Sequence, residues 1–172
     1  GYHELDSLVA FASVGDQVYA RPAANLNLTI NGPFAQQLHS ISDNLVWRTA
    51  NALQNITGVH EGADLVLTKN LPISSGIGGG SANAAATIRA LIGLWDINQN
   101  DYDLSAFALA LGSDVPVCLY GQAAFMGGIG EEIAPGPEIP NVNLVIVNPG
   151  VPVSTPDVFK IRNGGFSKPA KR

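Results

Sequence analysis

Residues 72–84 read Pro-Ile-Ser-Ser-Gly-Ile-Gly-Gly-Gly-Ser-Ala-Asn-Ala, with Lys69 just upstream, and this stretch has the make-up of an anion cradle. Gly76, Gly78, Gly79 and Gly80 can take positive φ and carry no Cβ to hold a ligand off the backbone, so successive N–H groups can converge on one anion. A helix beginning near Ser81 would aim its unpaired amides and the positive end of its dipole into the same loop. Polyphosphate is the guest such a site suits. A turn that merely lets strand and helix pack closely is the plain alternative. Four glycines, two preceding serines and a Ser-Ala-Asn helix start exceed what a tight turn needs, and glycine costs chain entropy that a purely structural loop would avoid.

The flanking elements place this loop. Asp64 to Thr68 is a short β-prone run, and downstream Ala85, Ile88, Leu91, Ile92 and Trp95 fall on one helical face. The order is therefore strand, glycine loop, helix. A Walker A loop is excluded, because Gly80 is followed by Ser81 and Ala82 rather than by Lys and Ser or Thr. A dinucleotide fingerprint starting at Gly76 finds Ser81 where its third glycine belongs, although Asp96 stands at a spacing suited to a ribose contact.

Other residues carry possible chemistry. Asp114 follows a helix stop in Leu-Gly-Ser-Asp-Val-Pro, before apolar residues that would lower the local dielectric; taken alone, an Asp there is a cap or turn former. Tyr2 and His3 form an aromatic pair that is either a frayed strand end or a nucleobase platform, stacking being worth about 1–3 kcal/mol per base. Lys69, one of four basic residues before position 160, is either a ligand contact or a solvated strand-end lysine. His39 and His60 have no partner spacing and receive no role. Glu131, Glu132, Asp101 and Asp103 read as surface or cap residues rather than metal ligands, so no protein-held metal is assigned.

Composition narrows the class. A chain of 172 residues can bury about 70% of its unfolded surface, enough for one core. Charged residues make up 13%, against roughly 25% in ordinary soluble domains, which points to much buried surface or to a covering partner. Net charge is −5, but four basic residues against fourteen acidic ones leave −10 across residues 1–159. Such a body repels a polyanionic backbone, so a nucleic-acid role is not expected. No apolar run approaches the ~20 residues of a membrane-spanning helix. The lone Cys118 permits no internal disulfide and no Cys/His cluster has zinc spacing, so a reducing cytosol fits. The chain opens on Gly1 without signal-peptide features and reads as part of a longer one.

Along the chain, Leu5–Phe11, Gln17–Arg21 and Leu26–Ile30 read as strands, most simply a meander turned at Gly15-Asp16 and Asn31-Gly32. A helix follows, capped by Asp43, with Val46, Ala50 and Leu53 inward and Gly58 as its stop. After the glycine loop and its helix to about Trp95, Asp101 or Asp103 caps a third helix ending at Gly112. Ala123–Met126, Glu131–Ile133 and Asn143–Val147 read as strands, the last one buried, with a Pro-rich loop over 135–140. Ser154 or Thr155 before Pro156 opens a final helix. Strands and helices mix without strict βαβ alternation, which favours an α+β two-layer fold.

The segment from Pro72 to Ala84 resembles the ATP-binding motif of the GHMP kinases, the superfamily of galactokinase, homoserine kinase, mevalonate kinase and phosphomevalonate kinase. Three further stretches are similar to one branch of it, whose acceptor alcohol carries a cytidine diphosphate group on the non-mevalonate route to isoprenoids. They are Gly1-Tyr2-His3-Glu4-Leu5, Leu111 to Pro116, and Pro149-Gly150-Val151 with Thr155, Pro156 and Phe159. The resemblance implies a two-layer N-terminal ATP-binding domain over 1–140 and the start of a second α+β lobe over 141–172. It implies an upstream strand bearing a catalytic Lys and an Asn, and a further C-terminal lobe. It makes Asp114 the catalytic carboxylate, paired with that upstream Lys. Asn44 and Lys69 fall on the adenosine side, and Pro72, Ser75, Gly76, Gly78, Gly79, Gly80, Ser81 and Ala82 in the phosphate loop. Tyr2 and His3 recognise cytidine, with Phe159 as the opposite wall and Thr155 a polar contact. ATP is the implied cofactor, with Mg²⁺ carried on it, in bacterial cytoplasm or plastid stroma. The partner is a small molecule with a cytidine diphosphate group, not nucleic acid or membrane, and oligomeric state is left open. Two alternatives stay beside this reading: a GHMP kinase for mevalonate, homoserine or a sugar, which offers Tyr2 and His3 no base to stack on, and a nucleotide-binding module without turnover.

Overall fold

The run Gly-Ala-Asp-Leu-Val-Leu-Thr at 62–68 is apolar at every second position and buried at Ala63, Leu65 and Leu67, the pattern of a strand with one face on the core. The architecture follows from that preference. A computed structural model of the chain describes residues 4–38, 40–148, 150–151, 155–161, 164–165 and 167–168, the last helix without the side chains of residues 155, 156 and 159. In chain order the elements are β1 (Leu5–Val9), β2 (Gln17–Ala23), β3 (Asn27–Asn31), α1 (Leu45–Thr57), β4 (Gly62–Thr68), α2 (Gly79–Leu94), α3 (Leu104–Leu111), α4 (Val115–Tyr120), β5 (Ala124–Gly128), β6 (Glu132–Pro135) and α5 (Thr155–Ile161).

The strands form two three-stranded sheets, ordered β2-β4-β3 and β1-β5-β6. The expected meander is therefore wrong. β4 enters between β2 and β3, antiparallel to the first and parallel to the second, while β1 leaves to pair antiparallel with β5. The most buried strand of this sheet takes the centre, and α1 supplies the crossover that its parallel pairing with β3 requires. A second correction concerns residues 143–147, expected as a buried strand. They have no regular structure, and Leu144, Val145 and Val147 are 70%, 87% and 85% exposed. An apolar run becomes a strand only where an edge is available to pair with it, and sequence alone does not show whether one is.

Helix α1 lays Val46, Ala50 and Leu53, all fully buried, onto the β2-β4-β3 sheet with Leu28, Leu65 and Leu67. Its N-cap is Asn44 rather than Asp43: the Asn44 side-chain oxygen accepts the Val46 N–H at 2.9 Å. Gly58 ends it in the left-handed conformation, as expected. Helix α2 begins at Gly79 and is buried on more than the single face read from the sequence. Leu91 meets the sheet cluster, while Ala84, Ala85, Ile88 and Ile92 meet α3 and α4 through Ala108, Val115 and Cys118. A helix between two layers loses the single apolar stripe of a surface helix. Asp103 caps α3 through the Ala106 amide at 2.9 Å.

Helix α4 is absent from the sequence reading. Pro116 near its start and Gly121 at its end in the left-handed conformation are the start and stop signals that frame it. Its Val117 faces the other way, onto Ala124 and Met126 of the β1-β5-β6 sheet. Among the described residues no helix is long and apolar enough to cross a membrane.

Leu65 sits at the centre of the central strand, 1% exposed. Leu65→Ala is expected to lower the unfolding free energy by about 2–5 kcal/mol, read from denaturant titration, because the neighbours on both sides cannot collapse into the void.

Candidate functional site

The glycine loop closes on itself by a backbone device. Ser74, Gly76 and Gly78 take positive φ of 52°, 72° and 69°, alternating with residues that do not. This alternation turns successive amides toward one side, the geometry of an anion-binding nest. Helix α2 continues it: its first internal bond is Ala82 N–H to the Gly78 carbonyl at 2.9 Å. The amides of Gly79, Gly80 and Ser81 therefore have no partner inside the helix. The helix opens two residues earlier than the sequence reading placed it, which brings Gly79 and Gly80 into its first turn.

A buried ion pair lies under this turn. Lys69, 4% exposed, donates from Nζ to Asp16 Oδ2 at 2.6 Å and to the Leu71 carbonyl at 2.6 Å. The alternative of a solvated strand-end lysine is thereby removed. Asp16 Oδ2 also accepts from Asn83 Nδ2 at 2.9 Å, and Oδ1 accepts the amides of Asn70 at 2.8 Å and Leu71 at 2.9 Å. A Cβ on Gly79 would stand 3.9 Å from Asp16 Oδ2 and 4.0 Å from Lys69 Nζ, so the pair supports the helix start from beneath. Burial pushes the Asp16 carboxyl up, but hydrogen bonds from Lys69, Asn83 and the Leu71 amide, with the ammonium charge, outweigh it and hold the group below its ordinary value. Lys69 also lines the cleft.

Asp114 enters from the other side of α2. It precedes the first turn of α4, its carboxyl exposed to the cleft. A Cβ on Gly78 would be 3.9 Å from Asp114 Oδ2, so carboxylate and glycine nest are direct neighbours. The β5–β6 turn braces this segment from behind, for Gly130, at φ +115°, packs against the backbone of Ser113. Burial, then the negative charge of Asp114, push the Cys118 thiol up to about 11, so that thiol stays protonated.

Loop, Lys69 and Asp114 line one cleft of about 1280 Å³. Asn44, Pro72, Ser75, Gly76, Gly78, Gly79, Gly80 and Ser81 line it too, so the structure gathers nearly all the residues assigned to nucleotide and catalysis. Asn44 has a second role as the α1 cap, and the Ser75 hydroxyl donates to the Pro72 carbonyl at 2.9 Å, stiffening the loop. Ala82 is not among the lining residues; it packs toward the α2–α4 cluster. Tyr2 and His3, and the side chains of Thr155 and Phe159, lie outside the described residues. The sequence reading missed Asp16, taken there as turn chemistry, and Asn83. Neither carries a local signal, since their partners are 53 and 67 residues away from Asp16 in the chain. Asp96 stands past the far end of α2, about 24 Å along the axis at 1.5 Å per residue, which removes the dinucleotide reading.

Comparison with known proteins agrees with this geometry. Residues 44–122 match the family model for the GHMP kinases N terminal domain. The chain is 48% identical over 167 residues to a 4-diphosphocytidyl-2-C-methyl-D-erythritol kinase of Paramagnetospirillum magneticum, spanning 97% of this chain and 58% of that protein. It is 52% identical over 162 residues to a protein of the same name in Cereibacter sphaeroides, spanning 93% of this chain and 55% of the relative. The chain thus spans a little over half the length of the curated relatives it matches. Among solved structures, a 4-(cytidine 5'-diphospho)-2C-methyl-D-erythritol kinase superposes with a TM-score of 0.69 at 33% identity, over 93% of this chain and 56% of that one. A homoserine kinase from Cytophaga hutchinsonii, TM-score 0.67 at 22% identity over 91% of this chain and 54% of that one, shares the fold.

Two outcomes follow from the site's packing. Any side chain at Gly130 must displace the Ser113 carbonyl at a backbone angle that L residues avoid, so Gly130→Ala is expected to cost about 1–3 kcal/mol in denaturant unfolding. Because the folded-state value of Asp16 is depressed, its stabilisation is fully present above the unfolded value and is lost as pH falls through the folded one. The stability gap between wild type and Asp16→Asn, measured by unfolding at a series of pH values, is expected to be constant near neutrality and to close as pH drops below 3.8.

Proposed function

We propose that the protein to which this chain contributes is a GHMP kinase, a reading supported by the match of residues 44–122 to the N-terminal model of that family, and that it transfers the γ-phosphoryl group of ATP to a hydroxyl of 4-diphosphocytidyl-2-C-methyl-D-erythritol, the 2-hydroxyl, in the cytoplasm. The single observation carrying this reading is that the Asp114 carboxylate and the glycine nest face each other across one cleft. A nest alone binds an anion, and a carboxylate alone caps a helix. Together they put a proton acceptor beside the place where a phosphoryl group is held.

The chemistry assigns a task to each residue. The amides of Gly79, Gly80 and Ser81, with the α2 dipole, neutralise the phosphate tail and fix its direction. Lys69, in the same wall, is held by Asp16 and the Leu71 carbonyl beneath the helix start. Asp114 accepts the proton of the acceptor hydroxyl as its oxygen bonds to the γ-phosphorus, while the bond from that phosphorus to the β–γ bridging oxygen breaks and ADP leaves. Asn44, at the α1 start in the cleft wall, serves the adenosine end, and Tyr2, His3, Thr155 and Phe159 the cytidine. Mg²⁺ would come with ATP, held by the phosphate oxygens, where it would offset charge on the transferring group. The names of the relatives support the acceptor, and the catalytic placement is supported by the cleft.

In the full protein, Asp114→Asn is expected to lower kcat about 10²–10⁴-fold while ATP affinity stays within about threefold of wild type. Turnover that survives the substitution intact would falsify the assignment of Asp114 as base. Competition by CMP against the acceptor substrate checks the cytidine end.

A further inference from the structure

We propose that Asp16 is the positioning residue of the phosphate loop, acting through the backbone at both of its ends without touching the nucleotide. The loop is entered at Asn70 and Leu71 and left at Gly79, so its shape depends on how those two ends are held. Asp16 Oδ1 holds the entrance, taking the amides of Asn70 and Leu71. Asp16 Oδ2 holds the exit through Asn83, one turn into α2, and takes Lys69 Nζ as its other donor. Between these ties, the loop's own side-chain bond is the short one from Ser75 to Pro72, which spans three residues and does not fix the width of the opening.

The residue type is dictated by the donors around it. Four donors converge on two oxygens, which a carboxylate with about four lone-pair sites can satisfy and an amide cannot. Asn at this position must turn an NH₂ toward either two backbone amides or the Lys69 and Asn83 donors. One end of the loop then loses its tie. The Asp16 side chain is 1% exposed and that of Lys69 5%, so water cannot replace the lost bonds. Asp16 also keeps the Lys69 ammonium directed at the floor of the helix start. The inference rests on the kinase reading for the identity of the ligand, and goes beyond it in assigning the loop's geometry to a residue just before the neighbouring strand β2.

The test uses the full protein as wild type, Asp16→Asn and Asn83→Ala, with steady-state kinetics in both substrates and titration of a non-hydrolysable ATP analogue. Asp16→Asn is expected to raise KM for ATP and the analogue Kd at least tenfold and to leave KM for the acceptor within twofold. Asn83→Ala, which cuts one tie of four, is expected to move the ATP quantities in the same direction by at least threefold. A variant that loses only its active fraction, with KM for ATP within twofold of wild type, reveals a merely structural role and overturns the proposal. Should Asp16→Asn not fold, Asn83→Ala decides alone, an unchanged KM for ATP overturning it. Wild type that binds no analogue sinks the kinase reading and this inference together, whereas active wild type with indifferent variants sinks this inference only.

Discussion

One buried carboxylate holds together parts of the chain that are far apart in sequence. Asp16 stands at the start of β2, Lys69 at the end of β4 and Asn83 in the first turns of α2, and a single pair of oxygens binds them all. Burying an ion pair is costly unless its remaining hydrogen-bond sites are filled. Here they are filled by two loop amides and an amide side chain, so the arrangement is satisfied only when sheet, loop and helix are all in place. The penalty for any other placement is what gives the pair its power to specify one.

The rest of the site depends on how thin α2 is on the side facing away from the sheet. Ala84 and Ala85 meet Ala108, Val115 and Cys118, and these small side chains let α4 approach closely. The approach brings Asp114 to the glycine loop. From behind, α4 is fixed by Val117 on the second sheet, and Arg89 of α2 donates to the Cys118 carbonyl at 3.0 Å near the far end of α4. The nest is thus made by one layer and the acid delivered by another. Their meeting is a property of interlayer packing, and the turn at Gly130 limits how far Ser113 and Asp114 can retreat.

Two charged residues of the cleft depart from the roles their positions suggest. Asp114 has the position of a helix cap but makes no capping bond, so its carboxylate remains available to the cleft. Lys69 has the position of a solvated strand end but is almost wholly buried. Each has given up the local role that its sequence context offers: Asp114 lies beside the glycine loop that leads into α2, and Lys69 turns to the carboxylate just before the neighbouring strand β2.

Much of this was legible in the chain itself. Local chemistry dictates the glycine loop, the left-handed turns at Gly76 and Gly78, the stops at Gly58 and Gly112 and the inward face of α1, because each depends on neighbours within a few residues; Gly79 and Gly80, also expected to use positive φ, enter the helix instead, and Ser74 takes the third positive φ. Sheet order, the helix after Asp114 and the exposure of residues 143–147 were not legible. They depend on which edge is free and which surface is already covered, and those are properties of the folded whole. The loop's glycine-rich turn was written in its composition; that Asp16 bonds to both of its ends and Asp114 faces it was decided by tertiary structure, since hydrogen bonds between residues 53 and 67 positions apart leave no periodicity in a sequence.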